Sequence, residues 1–246
     1  MRHNISVFLV ALLPLASAAH AQSSSDRPRI ILGASIGIDA AVSTFNAARQ
    51  TSGLFGTERV YEHSYSDVFK PAFVVGGELG VAVSTRNEMF GRVRFLRGEG
   101  RTTAFGESIN RSPPGTRINM ARFSDYRAVA VEGGVRHAFR EGGHLTPFIT
   151  ATGGITFVDA IESDRYCRLD APECALTSRS TVPALAFLAG VSYPLAPFAV
   201  VEAETGLRWQ KGLGGNTSGL SVGFLEDAFT GRRISIPISG AIRFRF

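Results

Sequence analysis

Residues 233–246 read Arg233-Ile234-Ser235-Ile236-Pro237-Ile238-Ser239-Gly240-Ala241-Ile242-Arg243-Phe244-Arg245-Phe246. The even positions are apolar or glycine, and the odd positions are Arg, Ser, Pro or Ala. A period of two belongs to an extended strand, because successive side chains leave opposite faces of the backbone. This segment therefore predicts a strand with one apolar face and one polar face.

The same alternation recurs upstream. Leu145, Pro147, Ile149, Ala151, Gly153, Ile155 and Phe157 alternate with Thr146, Thr150, Thr152 and Thr156, with Phe148 the exception. Between Phe73 and Val83 the odd positions are apolar or glycine, and Glu78 sits on the other face. Extending the test gives eight strands, at about 30–45, 72–84, 88–102, 121–138, 145–159, 180–193, 198–210 and 233–246. Short connections at 85–87, 140–144 and 194–197 alternate with long ones at 46–71, 103–120, 160–179 and 211–232. That rhythm predicts an all-β fold, an eight-stranded antiparallel up-and-down transmembrane barrel with tight turns at one end and long loops at the other.

Composition agrees with a barrel and excludes other classes. The chain is 44% hydrophobic and 19% charged, with mean hydropathy +0.09. Past the N-terminus no stretch approaches the 18 consecutive apolar residues of a spanning helix. The net charge of +5 is spread among both signs without a basic run, so nucleic acid is not an expected partner. Arg2 and His3 precede an apolar run from Ile5 to Leu15, broken by Pro14, and Ala19-His20-Ala21 supplies a small-x-small cleavage site. This reads as a signal peptide over 1–21, a short periplasmic tail over 22–29 and a barrel over 30–246.

Export makes the two cysteines, Cys167 and Cys174, a candidate disulfide pinning the third long loop. The five histidines are scattered away from them, so neither a metal nor a cofactor is expected.

Sending the apolar parity to lipid turns Glu78, Arg92, Arg94, Glu132, Arg136, Glu202, Glu204, Arg208, Arg243 and Arg245 inward. Counted from the short-turn ends, Glu78, Arg94, Glu132 and Glu204 lie about six residues in, roughly 15 Å deep for tilted strands. Charges of both signs at one depth predict a mutually neutralising plug rather than a gate or a paired-carboxylate active site. An eight-stranded interior only just holds its side chains, and guanidinium pairing lowers carboxylate pKa values. His63, Ser64, Ser66 and Asp67 offer the residue types of a hydrolytic triad, but neighbours in one loop seldom assemble one, and no catalytic residue is assigned.

The signal peptide, the eight-strand rhythm over 30–246 and the ending Ile242-Arg243-Phe244-Arg245-Phe246 resemble the small outer-membrane β-barrel proteins related to the OmpA transmembrane domain and to the OmpX and opacity-type barrels. The resemblance implies Sec export to a Gram-negative outer membrane, with Ile242, Phe244 and Phe246 resembling the terminal signal read by the barrel-assembly machinery. It implies partners in outer-membrane lipids and lipopolysaccharide, with loops available to host or cell-surface ligands. The expected role is non-enzymatic: envelope integrity, adhesion or lipopolysaccharide contact around a narrow or plugged lumen. With the chain ending at its eighth strand, no periplasmic peptidoglycan-binding domain is expected. Two alternatives stand beside this reading. One is a lipid A-modifying outer-membrane enzyme. The other is a soluble, exported lipocalin-like barrel, which requires the opposite parity.

Overall fold

The computed structural model describes residues 30–53, 56–139, 144–164, 174–214 and 231–246. The expected signal peptide and tail lie outside these residues.

Eight strands close into one barrel: β1 (Ile30–Ala41), β2 (Ala72–Ala82), β3 (Asn87–Gly98), β4 (Tyr126–Ala138), β5 (Thr146–Val158), β6 (Ser180–Ala196), β7 (Ala199–Gln210) and β8 (Arg233–Arg245). Each pairs antiparallel with its neighbours in sequence, and β1 pairs with β8, from Ile31 opposite Arg245 to Ala41 opposite Ser235. The terminal residues complete the seam, since Ile30 and Phe246 exchange backbone hydrogen bonds. Closure leaves no strand edge in the barrel wall, so its peptide groups are satisfied without water.

The parity runs as the alternation predicts. Outward positions carry Ile36, Ile38, Leu79, Phe95, Val131, Phe187, Leu207 and Ile238, all exposed, Phe187 by 71%. Such a belt around a closed barrel belongs in hydrocarbon and defines a membrane-spanning barrel. The lipocalin-like alternative is thereby overturned, because its apolar face would point in. No described helix is long and apolar enough to cross a membrane.

Differences from the expected bounds concentrate at the long-loop end. β4 begins at Tyr126 rather than near 121, and β1 stops at Ala41. The intervening residues belong to other sheets. Strands Arg49–Gly53, Gly56–Val60, Thr102–Arg111 and Pro114–Arg122 form a four-stranded sheet in that order, joining the first and second long connections. Thr44–Asn46 pairs with His63–Ser64, and Ile161–Ser163 with Cys174–Thr177. The one-turn helix α1 (Tyr65–Val68) leads toward β2. At the opposite end β6 runs on through the expected turn to Ala196, with a register shift between Pro194 and Ala196. Proline lacks an N–H for the ladder, and such an irregularity accommodates it.

The loops pack downward as well as sideways. Phe45, Val60, Tyr65, Val68, Phe69, Phe105, Phe123, Ile161 and Leu176 join Val74, Leu96, Tyr126, Ala128, Ala130, Val158 and Val182 of the barrel in one buried cluster. Ring centroids lie 5.1 Å apart for Phe45–Tyr65 and 5.3 Å for Phe105–Phe123. This aromatic cork fills the mouth. Phe123 is buried among these rings, while Phe73, Phe157, Phe139, Tyr193 and Phe246 are exposed on the outside of the barrel.

Candidate functional site

Below the cork the lumen is filled with charge. Four carboxylates (Glu78 of β2, Glu88 of β3, Glu202 and Glu204 of β7) meet four guanidiniums (Arg92 of β3, Arg136 of β4, Arg243 and Arg245 of β8). Arg92 holds Glu78 and Glu204, both at 2.9 Å. Arg243 holds Glu78 and Glu88 at 2.8 Å and Glu202 at 3.0 Å. Arg136 stands between them, within 3.3 Å of Glu88 and Glu202 and 3.5 Å of Glu78. Its guanidinium also lies 5.3 Å from the Phe90 ring and 4.8 Å from the Phe148 ring. Those rings require glycine behind them. A Cβ on Gly134 would meet Phe90 Cζ at 2.6 Å, and one on Gly190 would meet Phe148 Cζ at 2.4 Å. A cavity of about 10 Å³ remains beside Glu78, Arg92, Arg136 and Arg243, room for about one water.

A second tier lies nearer the mouth. Arg208 donates to Glu132 and to the Thr156 hydroxyl at 3.1 Å, and Arg94 approaches Glu132 at 4.0 Å. Higher still, Asp39 of β1 accepts from Arg233 of β8 at 2.6 Å. Buried charges persist only when paired in this way, because stripping water from a lone ion costs several kcal/mol.

Every residue read inward from the sequence lines the lumen, with Arg245 half-exposed at the rim. The partners of Glu204 differ from the counted depths: it pairs with Arg92 and Arg136 rather than with Arg94, whose ion pair among the described residues is with Glu132. Register alone does not decide this: Arg92 stands opposite Glu132 as well as Glu78, yet its ion pairs are with Glu78 and, across the lumen, with Glu204. Counting residues from each strand end ignores the stagger that strand tilt imposes. Glu88, Asp39 and Arg233 were missed, although parity marks each as inward, Asp39 falling out of step with Ile36 and Ile38.

The triad residue types do not converge. The His63 ring stacks on Phe105, with Nδ1 3.0 Å from the Tyr61 carbonyl and Nε2 3.1 Å from the Ala104 carbonyl. Ser64 instead donates both its amide, at 2.8 Å, and its hydroxyl, at 2.7 Å, to Asp67, which caps α1. Those bonds hold the Asp67 carboxyl below its ordinary pKa. Cys174 lies opposite Ser163 in the third-loop hairpin, while Cys167 and the Cys174 side chain fall outside the described residues. Among the described residues no three His, Cys, Asp or Glu side chains gather around a metal-sized space. Ile242 and Phe246 sit exposed on the outward parity at the closing seam, with Phe244 half-buried between them.

At the outer edge of the apolar belt the outward positions turn basic. Arg97 and Arg127 face each other across β3 and β4, flanking Asp125 at 2.8 and 3.6 Å. Burial raises the Asp125 pKa, but hydrogen bonds from Arg97 and the Gly100 amide outweigh it and leave the carboxyl ionised. Arg179, Lys211 and Arg232 continue this exposed collar around the barrel.

The fold and the filled lumen define a small transmembrane β-barrel. No protein-family model and no curated protein matches the chain. Among solved structures, Neisserial surface protein A (NspA) matches at 15% identity and TM-score 0.45, over 88% of this chain and 97% of its own. Ail, the attachment invasion locus protein of Yersinia pestis, matches at 10% identity and TM-score 0.44, over 90% and 100%. The outer membrane protein OprG from Pseudomonas aeruginosa matches at 9% identity and TM-score 0.46, over 89% and 95%.

Proposed function

We propose that this chain is a non-enzymatic outer-membrane barrel of a Gram-negative envelope, delivered by Sec export and the barrel-assembly machinery, whose sealed body anchors a structured surface platform. The observation that carries the reading is the doubly blocked lumen, ion-paired toward the short turns and corked by aromatic rings toward the long loops. A barrel filled in this way among its described residues serves as an anchor rather than a general pore. The four-stranded sheet above it is the face offered to host or cell-surface ligands. The collar of Arg97, Arg127, Arg179, Lys211 and Arg232 sits where phosphate-bearing lipopolysaccharide would meet the barrel, and such contacts are charge-assisted.

Planar-bilayer recording tests the sealed body: the purified protein is expected to give no large, long-lived conductance steps, and porin-sized steps would overturn the reading. In the same preparation, the variant Arg97→Ala/Arg127→Ala/Lys211→Ala is expected to bind lipopolysaccharide more weakly, with the difference shrinking at high salt. Unchanged binding would remove the collar from the proposal.

A further inference from the structure

A cleft of about 340 Å³ opens at the mouth where β1 and β2 part. Their last paired residues are Asp39 and Ala72, and Phe73, next to Ala72, stands opposite the collar residue Arg97. The opening therefore lies at the height of the collar. Beyond it β1 stays bonded to β8 through the Val42 amide and the Ile234 carbonyl, while the chain before β2 turns to β3 through the Lys70 amide and the Glu99 carbonyl. Asp39 and Arg233, buried and bonded to each other, contribute no net charge to the lining, and Ala40, Tyr65, Phe69 and Tyr126 give it apolar surface.

The remaining charges of the lining, Asp67, Lys70 and Arg101, are exposed to solvent. Lys70 is taken by Glu99 at 2.7 Å. Asp67 receives both Ser64 bonds on Oδ2, so its Oδ1 has no hydrogen-bond partner among the described residues. Arg101 makes no ion pair among them. Backbone structure sets these two side by side: the Arg101 amide donates at 2.8 Å to the carbonyl of Val68, the last residue of α1, which also carries Asp67. The Arg101 guanidinium helps to hold the Asp67 carboxyl below its ordinary pKa, yet the two stand beyond ion-pair distance. The cleft thus has one accessible anion and one accessible cation, near enough to feel each other and too far apart to neutralise each other directly.

A ligand that enters takes water from both charges and must replace it. A phosphate alone serves Arg101 but meets Asp67, and an ammonium alone serves Asp67 but meets Arg101. A neutral ligand answers neither. A molecule with one group of each sign answers both through charge-assisted hydrogen bonds, and the apolar walls accept the carbons between them. The volume falls at the lower end of the roughly 300–1,000 Å³ of small-molecule sites.

We infer that this cleft binds a phosphate joined to an ammonium by a short carbon link, the phosphate on Arg101 and the ammonium on Asp67 Oδ1. The group belongs either to a soluble phosphoethanolamine or to the headgroup of a lipid reaching in between β1 and β2, and the second source rests on the proposed place of the collar at headgroup height.

The test is saturation-transfer NMR on the full barrel in an uncharged polyoxyethylene detergent. The probes are phosphoethanolamine and, below its micelle concentration, dihexanoyl phosphatidylethanolamine, with inorganic phosphate, ethanolamine and glucose as controls. Saturable transfer to a probe is expected, with each control at least tenfold weaker. Binding of free phosphoethanolamine identifies a soluble source, and binding of the tailed probe alone identifies a lipid headgroup. Arg101→Gln and Asp67→Asn are each expected to weaken binding at least tenfold, with folding checked by heat-modifiable gel mobility. If Asp67→Asn fails to fold, the exposed Arg101→Gln decides. Absence of transfer to both probes, a control that binds as well as they do, or unchanged affinity in folded Arg101→Gln would each overturn the inference. Since no lipopolysaccharide is present, failure here leaves the collar's own test standing, and failure of that test leaves this one standing.

Discussion

The two tiers of the lumen differ in redundancy, and that difference sets the cost of breaking them. Arg136 touches Glu78, Glu88, Glu202 and Glu204, but each keeps another guanidinium: Arg92 or Arg243 for Glu78, Arg243 or Arg245 for Glu88, Arg243 for Glu202 and Arg92 for Glu204. Removing Arg136 strands no carboxylate. Arg208→Met, by contrast, leaves the buried Glu132, among the described residues, with one ion pair, to Arg94 at 4.0 Å. Stranding a buried ion in this way costs about 3–5 kcal/mol. Arg136→Met forfeits its ring contacts and charged hydrogen bonds while methionine refills part of the volume, about 1–3 kcal/mol. A gap of about 2 kcal/mol is about a thirtyfold difference in the folded-to-unfolded ratio. Urea titration of the barrel in lipid vesicles, with the folded fraction read from heat-modifiable gel mobility, measures both. Adding Glu132→Gln to Arg208→Met should recover part of the loss, since the two sites are directly coupled. Equal costs for the two single variants, or no recovery in the double, would refute the reasoning.

Val131→Arg, on the outward face midway along β4 and opposite Val93, is expected to lose about 2–4 kcal/mol in the same assay, whereas Thr150→Ser in the lumen should lose less. The depressed Asp67 carboxyl stabilises its cap fully above its unfolded pKa near 4, and that stabilisation is lost as pH falls through the lower folded value. Protection of the Ser64 amide against hydrogen exchange should therefore be constant at neutral pH and fall in acid. Asp67→Asn should lower it at neutral pH and flatten the profile, at a cost of about 0.5–1 kcal/mol. Finally, Cys167 and Cys174 are expected to resist maleimide in the assembled protein and to react after reduction; labelling of the unreduced protein would show free thiols.

Much of this protein was legible in the alternation alone. A period of two assigns each side chain to a face regardless of what lies opposite. So the Ile234 to Phe246 pattern, and its repeats upstream, determined the strands, the lipid-facing belt and the inward course of Glu78, Arg136, Glu204 and Arg243. Pairings were another matter. Whether Glu204 meets Arg92 or Arg94 depends on strand tilt and stagger, which the closing of β1 onto β8 imposes and no single strand encodes. The mouth depended on the tertiary structure most of all. Phe105 lies in a connection without a barrel's rhythm, Phe45 and Phe123 lie where the alternation carried the barrel strands too far, and only when the first two long loops share one sheet do their rings meet over the lumen. The same folding-over brings Tyr65 to Arg233, 168 positions apart in the chain, and forms the cleft above Asp39. Local pattern fixes which way a residue points, whereas closure and loop packing fix what it finds there.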